Sequence, residues 1–334
     1  MRRTPYTYDR ENLEKPRGRK MNKRLKHWLI GLGIILVLVV GGLVGASLYF
    51  YNMTVASGKK SFVATDIRLK KSDPLYAEKK WYRNVKKQRW TEQAAGANLR
   101  LVADYIPAEQ TTKKTVVLVH GFGSNKEAMG GYVAMFHKLG YNTLIPDTRG
   151  QGQSQGKVIS YGYYESKDYL KWVDQVIAKQ GQQSQVVLFG VSMGGATTMM
   201  TSGLKTPSQL KAYVEDCGYT DAQEEITYQA KQMYNIPYWP LVPMTSTVAR
   251  IKAGFHFKDA NAVAAVKKNH KPMLFIHGGA DKFVPTRMVH QVYRADAGPK
   301  QLLIVPGAKH AAALSHSPAI YERTVKAFLA KYIQ

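Results

Sequence analysis

The chain has 334 residues, 45% of them hydrophobic, and carries 48 Lys+Arg against 23 Asp+Glu, a formal net charge of +25. That length holds one large or two ordinary domains, and that hydrophobic fraction excludes a disordered chain. The positive excess points either to plain solubility or to a polyanionic neighbour. Anionic lipid or cell-wall polymer comes before nucleic acid, because no zinc-finger spacing, aromatic-basic RNA signature or recognition-helix pattern accompanies the charge.

Residues 1–27 are polar and basic, with Arg17, Arg19, Lys20, Lys23, Arg24 and Lys26 crowding the end of the segment. Residues 28–51 then run for 24 residues without a charge. As a helix rising about 1.5 Å per residue, this run would cross a hydrocarbon core of about 30 Å with some tilt. Trp28 at one end and Tyr49, Phe50 and Tyr51 at the other suit the two interfaces. A cleaved signal peptide is the competing reading, with Val44-Gly45-Ala46 as its cleavage site, although the apolar region of such a peptide is usually shorter. Eight Lys/Arg in residues 8–27 against five in residues 52–71 favour a cytoplasmic N-terminus and a single-pass cell-membrane protein with its bulk outside. Residues 52–90 read as a basic juxtamembrane stalk. They either lie on anionic headgroups or wall polymer, or form a solvated connector whose Trp81, Tyr82 and Trp90 pack on the following domain.

From residue 91 the pattern alternates strand and helix. Leu99 to Ile106 alternates like an edge strand, and Thr115 to Val119 is a buried run ending in His120-Gly121-Phe122-Gly123. A helix is predicted over Lys126 to Leu139, a strand over Tyr141 to Pro146 and a helix over Glu165 to Lys179. Val186 to Phe189 is continuously apolar, as a strand buried on both faces requires, and Gly190-Val191-Ser192-Met193-Gly194 follows as G-x-S-x-G. Further strands are predicted at Ala212 to Val214, Met273 to Ile276 and Leu302 to Val305, with a closing helix over Pro318 to Tyr332. Such repetition means a mostly parallel sheet covered by helices on both faces. Residues 218–271 interrupt the rhythm with tyrosines, Trp239 and three prolines. They form either a small helical cap over the strand ends or an ordinary helical connection. Their aromatic content hints at an apolar or aromatic acyl group in the ligand.

A serine hydroxyl becomes a nucleophile when a base lies in hydrogen-bond reach and an acid orients that base. Ser192, Asp281 and His310 each sit in a loop straight after a predicted strand, and in a parallel sheet such loops share one edge. His310 would take the Ser192 proton, and Asp281 would fix its tautomer. His316 competes as base and Asp216 as acid, and Asp281 has the alternative role of capping the next helix. The backbone N–H of Met193 and that of Phe122 are the expected donors to an oxyanion. His120 is expected to support its turn, and Asp147 and Arg149 to lock a loop. Cys217, the sole cysteine, reads as a buried apolar residue beside Asp216, which disfavours a thiolate.

HGFGSN at 120–125, DTRGQGQS at 147–154, GVSMGG at 190–195, HGGADKFVP at 277–285 and GAKH at 307–310 together resemble the α/β-hydrolase superfamily. Among its members the closest look is of membrane-anchored or exported bacterial serine hydrolases of the esterase, acyl-hydrolase and S33-peptidase-like group. The resemblance covers roughly residues 90–334. It implies an α/β-hydrolase fold with the nucleophile, acid, base and oxyanion donors at the positions above, no cofactor or metal, and a small-molecule ester or acyl substrate. A serine peptidase of the same fold is the second expectation. A non-catalytic surface-binding protein is the third.

Overall fold

The structure is a computed structural model and describes residues 21–58 and 69–334. The basic residues Arg17, Arg19, Lys20, Lys59, Lys60 and Arg68 lie outside the described residues. Among the described residues two compact units are present, one ending at residue 45 and the other beginning at residue 46. In the first unit the chain is helical from Lys23, with exposed apolar side chains such as Trp28 and Val37. The helix, α1 (Lys23–Thr54), is long and apolar enough to cross a membrane. It outruns the expected 28–51 span at both ends, and its last turns belong to the second unit.

The second unit continues with α2 (Tyr76–Asn84), β1 (Gln88–Gln93), β2 (Arg100–Ile106), β3 (Lys114–Val119), α3 (Gly130–Lys138), β4 (Asn142–Pro146), α4 (Glu165–Gln180), β5 (Gln185–Val191) and α5 (Met193–Ser202). Then come β6 (Leu210–Asp216), α6 (Ala222–Tyr234), α7 (Leu241–Ala253), α8 (Ala262–Val266), β7 (Met273–Gly278), α9 (Arg287–Ala295), β8 (Lys300–Val305), α10 (Ala313–His316) and α11 (Pro318–Leu329). The strands form one sheet in the order β1-β2-β4-β3-β5-β6-β7-β8. The pairings from β4 through β8 are parallel, and β1 and β2 add antiparallel at one end.

Alternation along β5 divides the core. Val186 and Leu188 join a cluster with Trp172 and Val176 of α4, Ala196 and Met199 of α5 and Met288 of α9. Val187 and Phe189 join another cluster with Tyr82 of α2, Val133 and Phe136 of α3 and Val325 and Phe328 of α11. Helices therefore cover both faces, as parallel strands require. Truncating Phe189, which has no exposed surface, would cost about 3–5 kcal/mol.

Three expectations need adjustment. β2 is not the edge, because β1 pairs with it from Arg100 to Tyr105. β1 reads QRWTEQ, a polar and mostly exposed strand that carries little apolar alternation. Second, of the two readings of residues 52–90, the one whose aromatics pack on the following domain fits the structure: Tyr82 is buried, and Trp90 stacks on Tyr105 with ring centroids 4.4 Å apart. The compact unit begins at Ala46 rather than at 91. Third, the insertion between β6 and β7 is helical, but its second half returns to the core. Phe255 and Phe257 are fully buried, and α8 packs on α5. The part standing over the strand ends is α6 and α7.

Candidate active site

Ser192 occupies the turn from β5 to α5 with φ 59°, a left-handed conformation rarely adopted by non-glycine residues. The turn closes because its flanks lack side chains. A Cβ on Gly190 would stand 2.0 Å from the carbonyl oxygen of Gly194, and one on Gly194 would stand 2.0 Å from that of Val119. The Ser192 N–H donates to the carbonyl of Asp216 at 2.8 Å, so the strand beside it also holds the turn. Strain at such a residue costs about 1–3 kcal/mol and persists only where the surroundings over-determine it.

β7 and β8 deliver the other two groups to the same edge. Asp281 follows β7, and His310 follows β8. His310 Nε2 lies 2.9 Å from Ser192 Oγ, and His310 Nδ1 lies 2.8 Å from Asp281 Oδ2. The three residues expected from sequence are thus brought into one hydrogen-bonded line. Asp281 is buried, and its Oδ1 accepts from the backbone N–H groups of Phe283 and Val284, each at 2.9 Å. Burial pushes its pKa upward, but hydrogen bonds from His277 and His310 outweigh that and hold the carboxyl down at about 2. A carboxylate held in this way can keep a proton on Nδ1 of His310 and leave Nε2 to accept from the serine.

The competing assignments separate cleanly. The Oδ2 of Asp216 accepts from Tyr321 at 2.8 Å, and burial raises its pKa to about 6. His316 ends α10 beside Gly307, and His310 is the histidine that reaches Ser192. His120 is fully buried and accepts at Nε2 from the Thr148 N–H at 3.0 Å, which leaves Nδ1–H to donate to the Gly121 carbonyl at 2.9 Å. It ties two loops together, as expected. Asp147 pairs with Lys126 at 2.9 Å, and Arg149 forks onto Asp168 at 2.6 and 2.7 Å, so both lock loops. The thiol of Cys217 lies near Asp281 and His310, and burial, with Asp216 and Asp281 beside it, drives its pKa well above the ordinary value. Asp281 is already hydrogen-bonded to His310 and His310 to Ser192, and a protonated thiol is a poor metal ligand.

Phe122 and Met193 are the residues expected to supply the oxyanion donors. Met193 opens α5 directly after Ser192, and the loop carrying Phe122 passes so close that a Cβ on Gly121 would sit 3.3 Å from the Ser192 Cβ. Both residues line a cavity of about 520 Å³, together with Ser192 and His310. Two residues near these groups were not singled out from the sequence. His277 stands behind Asp281, with Nε2 3.4 Å from Oδ2 and 2.9 Å from the carbonyl of Val284. Glu225 of α6 is buried in the cavity wall, and burial first, with the Asp281 charge adding to it, raises its pKa to about 8. His277 begins the HGGAD motif, a cue that was available. Glu225 sits in an ordinary polar helix pattern that carries no such cue.

A sequence model of the prolyl oligopeptidase family matches residues 128–334, more than half of the chain. Protein YqkD of Bacillus subtilis, itself uncharacterised, is 31% identical over 228 residues, 68% of this chain and 75% of YqkD. Among solved structures, the esterase Pf2001 of Pyrococcus furiosus aligns with a TM-score of 0.64 at 20% identity, over 84% of this chain and 99% of the esterase. The acylaminoacyl peptidase of Pyrococcus horikoshii aligns with a TM-score of 0.54 at 18% identity, over 75% of this chain and 42% of the peptidase. At those identities the structural likeness establishes the α/β-hydrolase fold alone. The family match goes further and lies with the prolyl oligopeptidases, beside the S33-like group that the motifs suggested. The chain belongs to the prolyl oligopeptidase family, and so to the α/β-hydrolase superfamily of hydrolases.

Proposed function

We propose that the protein is a membrane-anchored serine hydrolase that cleaves carboxylic esters through an acyl-enzyme. The observation that carries this reading is His310, which bridges Ser192 at 2.9 Å and Asp281 at 2.8 Å. In the proposed sequence Ser192 Oγ attacks the ester carbonyl carbon while His310 Nε2 takes the hydroxyl proton. The N–H groups of Met193 and Phe122 receive the oxyanion. Collapse breaks the bond to the leaving oxygen, which takes the proton from His310 and departs as an alcohol. Water then adds to the acyl-enzyme with His310 again as base, which releases the acid and restores Ser192.

Ester substrates are favoured over peptides by what the cavity wall offers. Among the described residues the lining contains no lysine or arginine to anchor a peptide carboxylate. Its acidic side chain, Glu225, is a neutral acid at pH 7 with a pKa of about 8, a weak partner for a peptide ammonium. Peptide hydrolysis is the second reading, supported by the family match and by the P. horikoshii neighbour. The apolar α1 supports attachment to a membrane, and the basic excess before it supports a cytoplasmic N-terminus with the catalytic unit outside.

The test is labelling of the detergent-solubilised full chain by a fluorophosphonate, followed by ester and peptide panels. Wild type is expected to label and to turn over esters. Ser192→Ala and His310→Ala are expected to lose both, with kcat down by about 10⁴-fold or more. A folded Ser192→Ala protein that keeps wild-type rates would remove the serine from the mechanism. A folded wild type that never labels would favour a surface-binding protein that kept the fold.

A further inference from the structure

The cavity above Ser192 is walled on one side by the cap helices α6 and α7 and on another by the end of α1, through Phe50, Met53 and Thr54. That end of α1 is fastened into the globular unit. Tyr161 donates its hydroxyl to the Thr54 carbonyl at 3.1 Å, and Ile159 N–H donates to the Val55 carbonyl at 2.8 Å. Tyr234 of α6 donates to Met53 Sδ at 3.5 Å and meets Phe50 edge-on, with ring centroids 6.0 Å apart. Tyr161 is itself held in a left-handed conformation, φ 57°, by Glu165, which accepts from the N–H groups of Ser160 and Gly162. The facing wall, Ile226, Met233, Leu241 and Val242, is aliphatic or thioether. Met233, an unbranched thioether among these branched aliphatics, lets the wall adapt to a flexible apolar ligand.

We infer that the end of α1 is the acyl-binding wall of the site, and that the substrate is an ester of a long, unbranched acyl chain drawn from a lipid phase. This rests on the ester-hydrolase reading above. One helix carries both the apolar stretch suited to a bilayer and the residues that bound the cavity, so attachment to lipid and recognition of an acyl chain are joined by sequence. The loop between α6 and α7 leaves Tyr238 and Trp239 exposed, and these are the ring types that settle at lipid–water interfaces. Phe50 and Met53 share the cavity lining with Ser192, so an acyl chain carried by the serine is expected to meet them as it lengthens.

The experiment uses the full chain in phosphatidylcholine vesicles with p-nitrophenyl acetate, octanoate and palmitate. Wild type is expected to prefer the longer esters. Met53→Trp, which fills the slot, is expected to lower kcat/KM for octanoate and palmitate by about tenfold or more relative to acetate. Phe50→Ala serves as a second variant should Met53→Trp fail to fold, and is expected to flatten the chain-length preference. A chain-length profile unchanged in either folded variant would overturn the inference while leaving the ester hydrolase in place, as would a wild type that prefers acetate. Binding of a fluorescent fatty acid to Ser192→Ala, with and without Met53→Trp, separates the two readings. If no ester is turned over, binding blocked by Met53→Trp upholds the acyl wall and counts against the hydrolase alone. Binding unaltered by Met53→Trp overturns the wall.

Discussion

Glu225 is a buried carboxyl with one oxygen hydrogen-bonded to Gln229 at 2.8 Å and the other, Oε2, without a partner among the described residues. Burial holds it in the neutral form by raising its pKa from 4.5 to about 8. The unfolded chain releases this proton near pH 4.5 and the folded chain only near pH 8, so the folded state binds more protons between those values. Stability supplied by this group is complete below pH 4.5 and is lost as pH rises through 8. Glu225→Gln, which cannot ionise, is therefore expected to match wild type in melting temperature near pH 5 and to exceed it by a few degrees near pH 9. Parallel melting curves across that range would mean that water reaches the carboxylate. The contrast with Asp281 explains which site residues could be read from sequence. Ser192, Asp281 and His310 were legible because each follows a parallel strand directly, and the sheet converts that order into proximity. His277 lies within the HGGAD motif and was within reach of the same reading, whereas Glu225 owes its state to burial and to Asp281, which is remote in sequence, and a linear pattern does not encode either.

At the scale of elements, the loop after β4 does the positioning. Arg149 reaches out of it to the start of α4, where the Asp168 carboxylate accepts two of its N–H groups and the Ala95 carbonyl takes a third at 3.1 Å. Both side chains are almost fully enclosed, at 7% and 2% exposure. Removing one partner of a buried pair leaves the other charge stranded. Asp168→Ala is expected to lower the unfolding free energy by about 3–5 kcal/mol, measured by denaturant titration. A loss below about 1 kcal/mol would mean that Arg149 finds another acceptor or solvent. The loop's locking role was readable from DTRGQGQS, whose charges sit among turn residues. β1 was not readable, because a strand that faces water on most of its length has no apolar alternation to betray it, and its identity depends on the neighbour it pairs with.

For the whole molecule the question is where the folded hydrolase begins. A pattern-based boundary at 91 follows the onset of strand–helix alternation, yet Tyr51 and Val55 are buried and Ala56 bridges Val158. The boundary was hidden because an apolar helix reads as a membrane span along its whole length, whether its last turns face lipid or protein. A chain shortened to 58–334 would expose the surface that Tyr51 and Val55 cover. Full burial of an apolar side chain contributes about 1.5–3 kcal/mol, so the loss for the two is about 3–6 kcal/mol as an upper estimate. The shortened chain is expected to unfold at a clearly lower denaturant midpoint than the full chain in the same detergent. It is also expected to keep p-nitrophenyl acetate turnover while losing preference for longer esters. Ser192, Asp281 and His310 are held by β5, β7 and β8, which the deletion does not touch, whereas Phe50 and Met53 leave with the helix. Equal midpoints would mean that the end of α1 rests on the unit without stabilising it. Parallel loss of acetate turnover would instead place the end of α1 in support of the catalytic groups themselves.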